Sequence, residues 1–184
     1  MKGRVSTFRP AGFLVLLLLL LLPVMGASAE EPLPEGFRSI TLGMSMDEVK
    51  EALRKDGYFD YRGDSDVSLL NEPTRTLIDC SGITYIDRAF FQFYQDSLYI
   101  IILQLNREEI DFYSMFTSLK EKYGEPKDVS PELVLWESED FRFTLERPVT
   151  VKYIDMEVFR ELEQESKVEE AYSKVNRDTF IDEF

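Results

Sequence analysis

Histidine is missing from this chain altogether, and cysteine and tryptophan occur once each. Without histidine there is no imidazole base for a Ser-His-Asp or Cys-His nucleophile. The commonest zinc ligand is gone as well. A single cysteine cannot close an internal disulfide. Cys80 lies in the strand-like run Thr76-Leu77-Ile78-Asp79-Cys80, where a buried, inert thiol is the expected state. Basic residues are scarce too, 21 against 35 acidic ones. That balance argues against nucleic acid as a partner, because phosphates require a basic footprint. It argues equally against anionic lipid head groups. A surface this acidic serves solubility first, and it also suits a basic protein partner or cations. No nucleotide, metal or other cofactor motif is present, so no cofactor is expected.

One long hydrophobic run is present, and it stands at the start. Lys2, Arg4 and Arg9 precede a nearly pure leucine stretch from Phe13 to Leu22, Pro23 breaks it, and Ala27-Ser28-Ala29 precedes Glu30. A basic n-region, a short apolar core and a small-residue cleavage site make a secretory signal peptide over residues 1–29. The run is short for a bilayer-spanning helix, which needs about 20 apolar residues. Cleavage near Ala29 places the mature protein outside the cytoplasm, periplasmic or secreted. No cysteine lies there to carry a lipid, so no stable membrane anchor is expected after cleavage. Three of the 21 basic residues and none of the 35 acidic ones are removed, leaving 18 against 35, a net charge of −17. The remaining 155 of 184 residues suffice for one domain with a real core.

Glu30 to Gly36 is a short, proline-rich extended leader, and an α+β domain is expected over residues 37–155. Ser45-Met46-Asp47-Glu48 is a capping box, flanked by Met44 and Val49 at the positions of a hydrophobic staple. Met46, Val49 and Leu53 then share a helical face, and Gly57 is a natural stop. Residues 58–75 are rich in turn formers. Beyond them Thr76–Cys80, Ile83–Tyr94 and Leu98–Leu105 read as strands, with Gln95-Asp96-Ser97 as a tight hairpin connection. Ile100, Ile101 and Ile102 are continuous, which predicts a central strand covered on both faces. Asn106 with Glu109 predicts the start of a second helix, 107–123, carrying the stripe Phe112, Phe116, Leu119 and Tyr123. Leu133–Trp136, Phe141–Leu145 and Val149–Ile154 then alternate as a meander, with turns at Glu139-Asp140 and Arg147-Pro148. Asp155 is placed to cap a charged helix from about Met156 to Val175, followed by a tail to Phe184. Both sheet-bound helices end in glycine and lead into strands, which hints at two α-β-β halves.

Four features could carry chemistry. Phe90, Phe91, Phe93, Tyr94 and Tyr99 crowd one hairpin. They serve as core, or else as the wall of an apolar-ligand or partner-binding groove. Asp60, Asp64, Asp66 and Glu72 form an acidic loop that could offer oxygens to Ca²⁺, although the spacing of an EF-hand is absent. Arg62-Gly63-Asp64 is the tripeptide that integrins read in matrix proteins. Carboxylate pairs for acid–base catalysis can be drawn from 35 acids in many ways, so no pair is singled out.

The segment Ile40-Thr41-Leu42-Gly43-Met44-Ser45-Met46-Asp47-Glu48-Val49, continuing to Leu53, resembles the opening motif of small bacterial envelope proteins of the SmpA/OmlA type and of the β-lactamase-inhibitor-like fold. Leu119-Lys120-Glu121-Lys122-Tyr123-Gly124-Glu125-Pro126, with Trp136 downstream, is similar to the helix-to-strand passage of that class. The resemblance implies an envelope scaffold or protein-binding module and carries over no catalytic residue. The chain departs from the lipoprotein members in lacking a lipidated cysteine, and it is longer.

The expected architecture is α+β: a mainly antiparallel sheet of five or six strands, covered by helices at 45–56 and 107–123. The third helix should pack at an edge or project. The expected function is that of a non-enzymatic extracytoplasmic protein that binds another envelope or secreted protein. A carrier of an apolar ligand or lipid, and an enzyme using carboxylates alone, are the alternatives.

Overall fold

The computed structural model describes residues 32–69 and 74–181. The expected signal peptide and Glu72 of the acidic loop lie outside the described residues. So do the side chains of Tyr172 and Val175.

The chain enters through a two-stranded hairpin, β1 (Gly36–Phe37) and β2 (Ile40–Thr41), with Leu33 resting on the core. The capping box then opens α1 (Met46–Lys55). Ser45 Oγ accepts from the amide of Glu48, and the Glu48 carboxylate accepts from the amide of Ser45 at 2.9 Å. Two orphan donors of the first turn are satisfied at once. Val49 and Leu53 are buried along the predicted stripe. The helix is closed by Asp56, whose N–H donates to Ala52 O, one residue before Gly57.

Short strands β3 (Phe59–Asp60) and β4 (Val67–Leu69) flank a 3₁₀ turn at Gly63–Asp66. Three long strands follow, β5 (Arg75–Gly82), β6 (Ile86–Tyr94) and β7 (Ser97–Leu105). Residues 83–85 form a turn with Thr84 at φ 58°, so β6 begins at Ile86 and not at Ile83. Gln95 and Asp96 both have positive φ, the two-residue turn whose twist suits a hairpin.

Helix α2 is Phe112–Tyr123 rather than 107–123. Asn106 caps a separate turn, accepting from Glu108 N at 3.0 Å. Asp111 is the true N-cap, because its carboxylate accepts from both the amide and the hydroxyl of Ser114. The meander is β9 (Leu133–Glu137), β10 (Phe141–Glu146) and β11 (Thr150–Asp155), with a two-residue edge strand β8 (Asp128–Val129) before it. Asp155 caps α3 (Met156–Ile181), accepting from Glu157 N and Val158 N.

The fold is α+β, and its sheet is larger than expected. Nine strands pair antiparallel in the order β3-β5-β6-β7-β11-β10-β9-β8, with β4 also on β5. The six predicted strands are all there; the additions are edge strands of two or three residues, too short to leave a periodic pattern. Short edges also offer little template to a foreign strand. The order β5-β6-β7 meets β11-β10-β9 head-on, and β7 pairs with β11 from Ile100↔Ile154 to Gln104↔Thr150. Each half is one helix followed by three antiparallel strands, one strand more than the sequence suggested.

Register divides the sheet into two unlike faces. Ile78, Phe91, Phe93, Ile101, Phe143 and Leu145 lie on the helix side, each at most 1% exposed, and form one core with Val49, Leu53 and Leu119. The opposite, outer face carries Leu77, Phe90, Ile100, Ile102 and Leu135 among paired charges. Helix α3 covers one corner of it, where Leu162 and Val158 pack on Tyr94, Tyr99 and Ile100. It therefore sits on the outer face, not at a sheet edge, before continuing as an exposed charged helix. Ile101 is fully buried while Ile100 and Ile102 are half-buried, so the central strand is covered completely on one face only.

Candidate functional site

The aromatic hairpin splits across the sheet. Phe91 and Phe93 point to the helix side and are fully buried, Phe91 in edge-to-face contact with Phe59 at 5.7 Å. Tyr94 and Tyr99 point outward beneath α3, where Tyr94 OH donates to Glu165 and Tyr99 OH to Gln92. Phe90 alone remains half-open on the outer face, with the Arg88 guanidinium 5.1 Å from its ring centre. The five residues do not meet in one groove. Strand alternation along β6 sends Phe91 and Phe93 to one face and Phe90 and Tyr94 to the other, and a bulge at Tyr99 on β7 puts it on the same outer face as Ile100.

The acidic loop is tied down by cations of its own chain. Asp66 is buried and accepts from the amide and guanidinium of Arg62 at 2.8 and 2.7 Å. Asp64 reaches Lys50 at 3.1 Å, and Asp60 is exposed on β3. Among the described residues no group of acids, cysteines or histidines is arranged to hold a metal. Arg62 and Asp64 of the Arg-Gly-Asp tripeptide are each engaged by a neighbour in this arrangement.

Cys80 is buried beside Asp66 and Asp79. Loss of solvation pushes its thiol up to about 12, with the carboxylate of Asp66 adding to the rise. A thiol so far from ionisation is a poor nucleophile.

Two surfaces that no motif announced are the outer face and a cleft at the start of α2. On the outer face Arg88 grips Asp79 through two hydrogen bonds of 2.7 and 2.6 Å. Lys152 pairs with Glu146 and Arg142 with Glu137, each at 2.6 Å. Glu137 also accepts from Lys127, and these bonds, Lys127's first, hold its carboxyl below the usual range. The charges of this face are thus spent on each other, and aliphatic side chains stand between them. The cleft, of about 480 Å³, is lined by Phe112, Tyr113, Phe116, Val129, Pro131 and Arg147. Only Val129's place next to a turn and Tyr113's place off the helical stripe hinted at exposure.

An antiparallel sheet with two helices on one face and an open, charge-paired second face makes this an α+β domain. The chain belongs to the TP0088 domain family, whose model matches residues 35–165. That span runs from the first hairpin into the docked turns of α3. No curated protein and no solved structure matches the chain. Among the described residues no helix is long and apolar enough to cross a membrane.

Proposed function

We propose that this chain is exported by its leader and acts outside the cytoplasm as a protein-binding scaffold, in the envelope or beyond it. The observation that carries the reading is the outer face of the sheet. Leu77, Phe90, Ile102 and Leu135 stand on it across β5, β6, β7 and β9, separated by neutralised ion pairs. Paired charges cost little to cover, and scattered aliphatics reward burial, so such a face suits a flat protein surface better than a small molecule. The partner that fits is a folded protein with net positive charge, given 35 acidic residues against 21 basic ones. The resemblance to SmpA/OmlA-type proteins supports an envelope role in the same direction. The aromatic hairpin, divided between a filled core and α3, favours this reading over a carrier of apolar ligands.

The test is site-specific photo-crosslinking in the native cell. A photoreactive residue at Gln104, exposed on the outer face, should yield one discrete protein adduct that disappears when Phe90→Glu is added. The same probe at Ser118, exposed on α2, should not yield it. Identical adducts from both positions would refute the reading.

A further inference from the structure

The cleft beside α2 lies on the helix side of the sheet and is separate from the outer face. Its walls are Phe112, Tyr113, Phe116, Val129 and Pro131, over Val134. Tyr113 and Val129 are 74% and 58% exposed, so large apolar surface is left in water there. Besides the tyrosine, three lining residues are polar: Asp111, Ser130 and Arg147. Two of them are spent. The Ser130 hydroxyl donates to Leu133 O and accepts from Leu133 N, at 3.2 and 3.0 Å, within its own turn. The Asp111 carboxylate accepts from the hydroxyl and the amide of Ser114 at 2.5 and 2.9 Å, and these bonds hold its carboxyl below the usual range. Its charge is answered by the positive end of α2, which it caps. Arg147 differs. Its guanidinium lies 4.2 Å from the ring centre of Phe112, and its Nε donates to Pro131 O at 2.7 Å. The stack and that one bond fix its plane, while neither Nη group meets a carboxylate or any other acceptor among the described residues. The acids nearest in sequence do not supply one. Asp128 pairs with Leu135 and so shares the outer face, and Glu132 does not line the cleft.

We infer that this cleft binds a small apolar monocarboxylic acid, its chain or ring among Phe112, Phe116 and Val129 and its carboxylate on the Nη groups of Arg147. A planar guanidinium already held in place matches a carboxylate through parallel N–H···O bonds. Apolar walls with one oriented polar group are the usual make-up of a small-ligand site, and about 480 Å³ is of the right size. A free acid fits better than the C-terminus of a peptide. A peptide would need a strand edge to lie along, and β8 offers only Asp128–Val129. The acidic excess of the chain opposes anions at long range, but at about 0.15 M salt that field is screened beyond about 8 Å. Within the cleft, Arg147 is the charge the ligand meets.

The test is calorimetric titration of the full chain with octanoate, octanol and octylamine, which share a chain and differ in head group. Trp136, the single tryptophan, rests against Phe116 with ring centres 6.5 Å apart, so its emission reports occupancy of this cleft. Octanoate should bind, shift that emission and outbind octanol by about tenfold, the yield of a hydrogen bond between charged groups, with octylamine weakest. Arg147→Gln should bring octanoate down to the level of octanol. Tyr113→Ser and Val129→Ser, both at exposed positions, should weaken octanoate and octanol alike by several-fold, and they serve as the test should Arg147→Gln fail to fold. Equal affinity for octanoate and octanol, binding of neither, or octanoate affinity unmoved by Arg147→Gln in a folded chain would each overturn the proposal. So would tighter binding of a Gly-Ser-Val-Phe peptide with a free C-terminus, which would assign the cleft to the tail of a partner protein.

Discussion

Trp136 Nε1 donates to the carbonyl of Gly124 at 3.0 Å, tying the middle of β9 to the end of α2. The indole is otherwise buried, stacked at a tilt between Phe116 and Phe143. Gly124 can present that carbonyl because it sits at φ 79°, ψ −164°, a region open almost only to glycine. One hydrogen bond thus joins helix termination to sheet registration in the second half of the molecule.

The first prediction follows. Trp136→Phe, which keeps an aromatic ring but removes the donor, should lower unfolding stability by about 2 kcal/mol. Gly124→Ala should cost about 1–3 kcal/mol through backbone strain. Urea denaturation followed by circular dichroism measures both, and a loss below about 0.5 kcal/mol in each would contradict the linkage.

Adjacent phenylalanines should behave unalike. Phe91 is fully buried among Phe59, Ile78 and Ile101, whereas Phe90 lies half-open on the other face. Phe91→Ala should cost about 3–5 kcal/mol, enough to unfold a marginal domain. Phe90→Ala should cost about 1 kcal/mol, since less area is withdrawn from water there. Equal losses would mean that the outer face is covered as completely as the core.

The lone thiol should be silent in the native protein. With Cys80 buried and its thiol pushed up to about 12, iodoacetamide at pH 8 should label it only after denaturant is added. Mass spectrometry of the alkylated chain reports this directly. Rapid native labelling would place the thiol at a surface instead.

Acid should loosen the second half through Glu137. Its folded carboxyl titrates below its ordinary value of about 4.5, chiefly through the bond from Lys127 and also through Arg142. A depressed carboxylate contributes stability that is present above the unfolded value and disappears as pH falls through the folded one. The stability difference between the parent chain and Glu137→Gln should therefore be constant above about pH 5.5 and shrink as pH drops below about 4.5. A difference that stayed level down to pH 3 would remove Glu137 from the acid response.

Much of this fold is legible in local sequence, and the legible parts share a reason. The Ser45–Glu48 box, the Val49 and Leu53 stripe, the Gln95-Asp96 turn and the alternation of Phe141, Phe143 and Leu145 each depend on residues a few positions apart. Short-range sterics and hydrogen bonding decide them before any tertiary contact forms. The start of α2 turns on a local choice as well. Asn106 and Asp111 both offer a capping oxygen, and only the docking of the Phe112 stripe selects between them.

The candidate sites were far less legible. Tyr113 and Val129 are 16 positions apart, and Arg147 closes the cleft from a turn 18 residues further on. No periodicity relates them. The same holds for Asp79 and Arg88, or Glu137 and Arg142, which meet only because neighbouring strands pair in one register.

The sequence by itself determined an α+β chain with a leucine-rich run near its start, an excess of acidic residues, no imidazole chemistry and two helices that must cover a sheet. Charge, composition and hydrophobic period are properties of the chain alone. Only the tertiary structure decided that the sheet has nine strands, that the aromatic hairpin divides between two environments, and which surfaces remain open. A one-residue slip in pairing would turn every side chain of a strand to the other face, so partnership across strands is settled by register and packing, and neither can be read along the chain.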